Sequence, residues 1–142
     1  MAWRPFPLRT PPLADPASGM LSSIGRQGRG IEAVVENDLA WLASVGARVL
    51  VSIAGNTAAE FGEVAACLAD SPAFAAVVGV EVNISCPNVA NRGLVFACDP
   101  VSSDAVVRLV RDKLPAATPI FAKLTPDVTD IVTIADAALG AG

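Results

Sequence analysis

The stretch Val80-Glu81-Val82-Asn83-Ile84-Ser85-Cys86-Pro87-Asn88 constrains the fold more than any other part of the chain. An apolar, β-branched run that starts near Ala73 ends there in amide, hydroxyl and thiol groups. Pro87, which lacks a backbone N–H, closes the strand and opens a loop. Side chains alternate along a strand, so Glu81, Asn83 and Ser85 share one face while Val80, Val82 and Ile84 share the other. The apolar face packs on helices; the polar face looks into a site or must be satisfied internally.

The same alternation recurs twice. Within a strand from Arg48 to Ala54, Val49, Val51 and Ile53 take one face and Ser52 the other. In Ile120-Phe121-Ala122-Lys123-Leu124, the residues Ile120, Ala122 and Leu124 are apolar and Lys123 is opposite. Ser52, Asn83 and Lys123 therefore converge if the three strands are parallel neighbours.

Helical periodicity fills the intervals. Ile31, Val34, Val35, Leu39 and Leu42 form one stripe of an amphipathic helix ending near Gly46. Thr57 with Glu60 makes a capping-box pattern before a stripe of Phe61, Val64, Ala65 and Leu68. A third helix is expected from Ser102 or Ser103, burying Val106, Leu109, Val110 and Leu114. A fourth follows Thr125-Pro126-Asp127-Val128-Thr129, packs through Ile131, Ile134, Ala135, Ala138 and Leu139, and ends near Gly140.

Strands and helices alternating at a pitch of about 30 to 40 residues imply parallel βα units with every strand C-terminus on one rim. A TIM-type barrel places its chemistry on that rim. The fold expected is therefore α/β: a partial TIM (β/α)8 barrel with too few strands to close alone. The end at Gly140-Ala141-Gly142, where a further strand is due, suggests a piece of something longer.

Hydrophobic residues make up 53% of the 142, ample for a core. A net charge of −4 without a basic cluster argues against nucleic acid or an acidic membrane surface as partner. Small-molecule chemistry is the better prior. Cys67, Cys86 and Cys98 lack CxxC spacing and the chain has no histidine, so no protein-held metal is expected. The free thiols suit a reducing cytoplasm. Neither a signal peptide nor a membrane span is visible, since no apolar segment of sufficient length follows Arg4 and Arg9 or occurs later. Residues 1–18 read as a proline-rich lead-in to βα units over 19–142. Gly19 to Gly30 is glycine-rich but has neither Rossmann nor Walker spacing.

These residues resemble the class 1 dihydroorotate dehydrogenases, most closely the 1B-like subclass, whose flavin-bearing catalytic subunit partners an electron-transfer subunit. The likeness runs through Gly19-Met20-Leu21 to Gly25, Ile53-Ala54-Gly55, Asn83-Ile84-Ser85-Cys86-Pro87-Asn88 and Lys123-Leu124-Thr125-Pro126-Asp127-Val128-Thr129-Asp130-Ile131. It implies an FMN-containing (β/α)8 barrel that oxidises dihydroorotate to orotate in pyrimidine synthesis. Electrons then pass through a two-iron two-sulfur cluster and FAD of the partner to NAD. The resemblance also implies a cytoplasmic, oligomeric complete protein.

By the same likeness, Cys86 corresponds to the catalytic base, and FMN contacts fall on Ser52, Asn83 and Lys123. Substrate contacts fall on Ser22, Ser23, Ile24, Gly25, Arg26, Asn83 and Asn88. The chemistry of these groups suits those roles. A thiolate can take a proton from a carbon beside a carbonyl. An amide both donates and accepts, and a cation can offset charge on a flavin. Bland readings stand beside them: a buried thiol for Cys86, a loop-satisfying amide for Asn83, an Asx-turn for Asn88, and an ion pair with Glu81 for Lys123.

The chain also departs from the family pattern. Ser22 stands where asparagine is common, Arg26 where leucine is, and Ser52 where a flavin-contacting asparagine is. The family's opening strands, with a substrate- and flavin-contacting lysine, would precede Met1. Its later strands, with Asn-Thr substrate contacts and a glycine-rich phosphate grip, would follow Gly142. Two alternatives accordingly accompany the dehydrogenase reading: a non-catalytic barrel remnant or assembly module, and the related flavin domain of dihydropyrimidine dehydrogenase.

Overall fold

The structure, a computed structural model, describes residues 29–85 and 95–142, together with the backbone of two short strands, β1 (Leu13–Ala14) and β2 (Leu21–Ser22). These two pair antiparallel. The remaining strands, β3 (Val49–Ile53), β4 (Val77–Asn83) and β5 (Ile120–Lys123), form a parallel sheet in that order, with β4 central. Among the described residues the sheet is open, as three parallel strands without a closing partner must be.

The sheet's apolar face is the one expected from the alternation. Ile53, Val80, Val82 and Ile84 are completely buried, and Val51 nearly so. They pack under α3 (Ala58–Ala69) and α4 (Pro100–Lys113) in one cluster with Phe61, Val64, Ala65, Leu68, Val106 and Val110. Each large side chain so enclosed contributes about 1.5–3 kcal/mol. Phe61 meets Phe96 edge to face, with ring centroids 5.8 Å apart.

The first helical segment is less regular than its stripe suggests. An α-turn, α1 (Ile31–Ala33), passes into a π-helical stretch at Val34–Leu39 and then into α2 (Ala40–Ser44). Ile31 and Leu39 are buried, while Val34 and Val35 pack at the margin of the core. Gly46, at φ +72°, ends the segment: Ala47 N–H donates to Leu42 O and Gly46 N–H to Ala43 O, the paired bonds of a Schellman stop.

Three sequence expectations need correction. The run near Ala73 is not yet strand, because Phe74–Ala76 makes a 3-10 turn before β4 begins. Helix α4 starts before Ser102: Pro100 occupies its first turn, and the Asp99 carboxylate accepts from Ser102 N–H at 2.8 Å. Its buried set also differs, since α4 lies between two helices. Val106 and Val110 join the main core, while Val107 packs with Ala138 and Ala141, and Leu109 remains partly exposed.

The fourth helix, α5 (Ile131–Gly140), ends as expected. Of its stripe Ile134 and Ala138 are buried, whereas Ile131 and Leu139 lie open on a helix that packs against α4. Asp130 caps this helix, accepting from Val132 and Thr133 N–H groups and from the Thr133 hydroxyl.

Candidate functional site at the sheet rim

The face of the sheet opposite α3 and α4 is built in layers by strand register. Leu50 pairs with Gly79, Ser52 with Glu81, Glu81 with Phe121, and Asn83 with Lys123. Since register partners in parallel strands point the same way, these seven residues share one face. Its lower layer is apolar: Leu50 and Phe121 flank Gly79, where an added Cβ would lie 2.8 Å from the Phe121 ring and 3.1 Å from Leu50 Cδ1. Its upper layers are polar and reach the C-terminal ends of the strands, where Asn83 and Lys123 are the last residues of β4 and β5.

The expected convergence of Ser52, Asn83 and Lys123 therefore occurs, with Glu81 at its centre. The Ser52 hydroxyl donates to Glu81 Oε1 at 2.7 Å, and Lys123 Nζ lies 3.7 Å from the same oxygen. Sequence reasoning had Glu81 only as an available ion-pair partner of Lys123. The signal for more was its place on the same face as Asn83 and Ser85.

Asn83 is the most enclosed polar group of the face, with 1% of its surface exposed. Its Oδ1 accepts from the Ser85 hydroxyl at 2.9 Å, but its Nδ2 is buried without a hydrogen-bond partner among the described residues. A buried donor left unmade costs about 1–3 kcal/mol, so such a group marks a place where a ligand acceptor is wanted.

Around this rim the chain is held firmly. Ala97 N–H donates to Ile84 O, and the Ser103 hydroxyl donates to Phe96 O, so the chain re-enters at Val95–Cys98 against the end of β4. After β3, the Glu60 N–H donates to Thr57 Oγ1 while the Glu60 carboxylate accepts from Asn56 N–H at 2.7 Å. The capping box is thus present but closes one residue further back than its usual form. Gly55 allows this close turn: a Cβ there would stand 2.9 Å from Glu60 Cβ and 3.1 Å from Phe61 N.

Cys86, Asn88, Ser23, Ile24, Gly25 and Arg26 lie outside the described residues, as does the side chain of Ser22, whose backbone pairs with Leu13. Of the described cysteines, Cys67 sits on α3, where burial, reinforced by Glu32, Asp70 and Glu36, pushes its thiol above the usual value. That disfavours the thiolate. Cys98 contacts Asp127 O at 3.7 Å. Among the described residues no helix is long and apolar enough to cross a membrane.

Comparison with known proteins matches the amino-acid sequence to one family. Residues 8–142 match the dihydroorotate dehydrogenase family. The chain is 46% identical over 133 residues to a protein of Geobacter sp. (strain M21) named dihydroorotate dehydrogenase B (NAD(+)), catalytic subunit, covering 94% of this chain and 42% of that one. Proteins of the same name from Citrifermentans bemidjiense and Desulforudis audaxviator are 45% identical, over 94% and 93% of this chain and 42% and 41% of theirs. The chain thus spans less than half the length of these relatives, and within that span it belongs to the dihydroorotate dehydrogenase family.

Proposed function

We propose that the protein serves in the oxidation of dihydroorotate to orotate, with FMN seated on the polar face of the sheet. The observation that carries this reading is the buried Asn83 Nδ2, without a partner among the described residues, beside Lys123 at the strand C-termini in a chain of this family. The polar set suits a flavin: an amide N–H without a partner among the described residues, a cation and a hydroxyl oxygen stand on one surface above an apolar layer. FMN, when bound, supplies the hydride acceptor.

Cys86 acts as the base. Its thiolate takes a proton from the carbon beside the substrate carbonyl, hydride leaves the adjacent carbon, and the two carbons are joined by the new double bond. Asn83 donates through Nδ2 while Oδ1 stays fixed by Ser85, so the amide is oriented before anything binds. Lys123 places positive charge where negative charge accumulates. Asn88, Ser22, Ser23, Ile24, Gly25 and Arg26 contact the substrate, the arginine opposite its carboxylate. The relatives' designation as the catalytic subunit of an NAD(+) enzyme supports a partner subunit, to which this reading assigns electron transfer through FAD and a two-iron two-sulfur cluster.

Turnover of dihydroorotate, with none of dihydrouracil, is the expected specificity. Cys86→Ala should abolish turnover while FMN is retained. Unchanged turnover in that variant would remove Cys86 from the chemistry, and preference for dihydrouracil would move the protein to the dihydropyrimidine dehydrogenase reading.

A further inference from the structure

We infer that Glu81 is a positioning residue, which sets both the hydroxyl of Ser52 and the cation of Lys123 on the face that receives the flavin. This rests on the FMN proposal above. Glu81 occupies the central strand with Ser52 on one side and Lys123 on the other, and both reach the same carboxylate oxygen, at 2.7 and 3.7 Å.

Two consequences follow from those contacts. The Ser52 proton is committed to Glu81, so the hydroxyl oxygen presents lone pairs to a ligand and accepts from a ring N–H rather than donating. Lys123, by contrast, is attracted at a distance longer than a full hydrogen bond, so its three N–H donors remain available. As an ion pair for stability this contact is a weak device, because the two side chains are 40% and 27% exposed. As a device for orienting and tempering a cation, it needs no large net energy.

Charge fixes the sign of the effect. A hydride acceptor gains negative charge when reduced, which Lys123 favours and the Glu81 carboxylate opposes. Removing Glu81's charge should therefore make bound FMN easier to reduce, and removing that of Lys123 should make it harder.

The test has a flavin-free and a flavin-loaded part. Lys113 and Lys123 are the only lysines, so reductive 13C-methylation gives each a separate NMR signal. In cofactor-free protein, Glu81→Gln should move the Lys123 signal and leave that of Lys113 in place. In FMN-loaded protein, Glu81→Gln should favour the reduced form about tenfold, a rise of about 30 mV for a two-electron couple. Lys123→Met should lower the potential, and Glu81→Asp should restore most of the original value. An unmoved Lys123 signal overturns the pairing. A moved signal with an unchanged or lowered potential overturns the positioning role. A moved signal in protein that fails to retain FMN overturns the flavin proposal and, with it, this role, leaving Glu81 a structural contact.

Discussion

Replacing Asn83 by leucine should leave the cofactor-free protein as stable as before or more so, while destroying its hold on FMN. Leucine has the same branched heavy-atom skeleton, though bulkier, and removes the buried Nδ2 that has no partner among the described residues, relieving a penalty of about 1–3 kcal/mol. The change also deletes the bond from the Ser85 hydroxyl to Oδ1, a net loss of about 0.5–1.5 kcal/mol, softened because Ser85 is only part-buried and can turn to water. The balance is a gain of about 1 kcal/mol, or about 3 °C in Tm for a domain of this size. Urea unfolding of both forms, with and without FMN, reads it directly. Without FMN the variant's midpoint should equal or exceed the original; with FMN only the original should gain. A variant that loses more than about 1 kcal/mol without FMN would refute the reasoning, since the amide would then be a satisfied structural group.

Three other outcomes test the frame that carries the site. Phe61→Ala, at a position 1% exposed and in edge contact with Phe96, should cost about 3–5 kcal/mol in urea unfolding. Gly55→Ala brings a Cβ within 3.1 Å of the Phe61 backbone nitrogen, so α3 must shift, at about 1–3 kcal/mol by the same measurement. For pH, the Ser102 hydroxyl and N–H hold the Asp99 carboxyl below its usual range. A depressed folded value means the contribution is complete above the ordinary carboxylate value and disappears as pH falls through the folded one. Asp99→Asn still caps α4 but does not titrate there, so its stability should fall less steeply than the original's below about pH 4. Parallel acid limbs would refute that assignment.

The period-two pattern made the sheet legible. Once Val51, Ile53, Val80 and Val82 are placed inward, Ser52, Glu81, Asn83 and Lys123 can only share the other face, and the register confirms it. What the pattern could not supply was the neighbour of each group. Glu81 became the hub because Ser52 and Lys123 reach one oxygen, which depends on strand order as well as alternation. Helix α4 shows the same limit. Its stripe indicated one buried side, but a helix between α3 and α5 buries two, so Val107 entered the core and Leu109 partly left it. Its start was misplaced because Ser102 is itself a good capping residue, whereas Asp99 followed by Pro100 forms the cap in the folded chain.

The most direct test of the account is whether the purified protein, mixed with FMN and passed through gel filtration, carries flavin absorbance with it. Co-elution near one flavin per chain, lost in Asn83→Leu, is the result the account predicts. Protein that elutes folded but colourless would contradict it, and would mean that the polar face of the β3–β4–β5 sheet does not hold the cofactor.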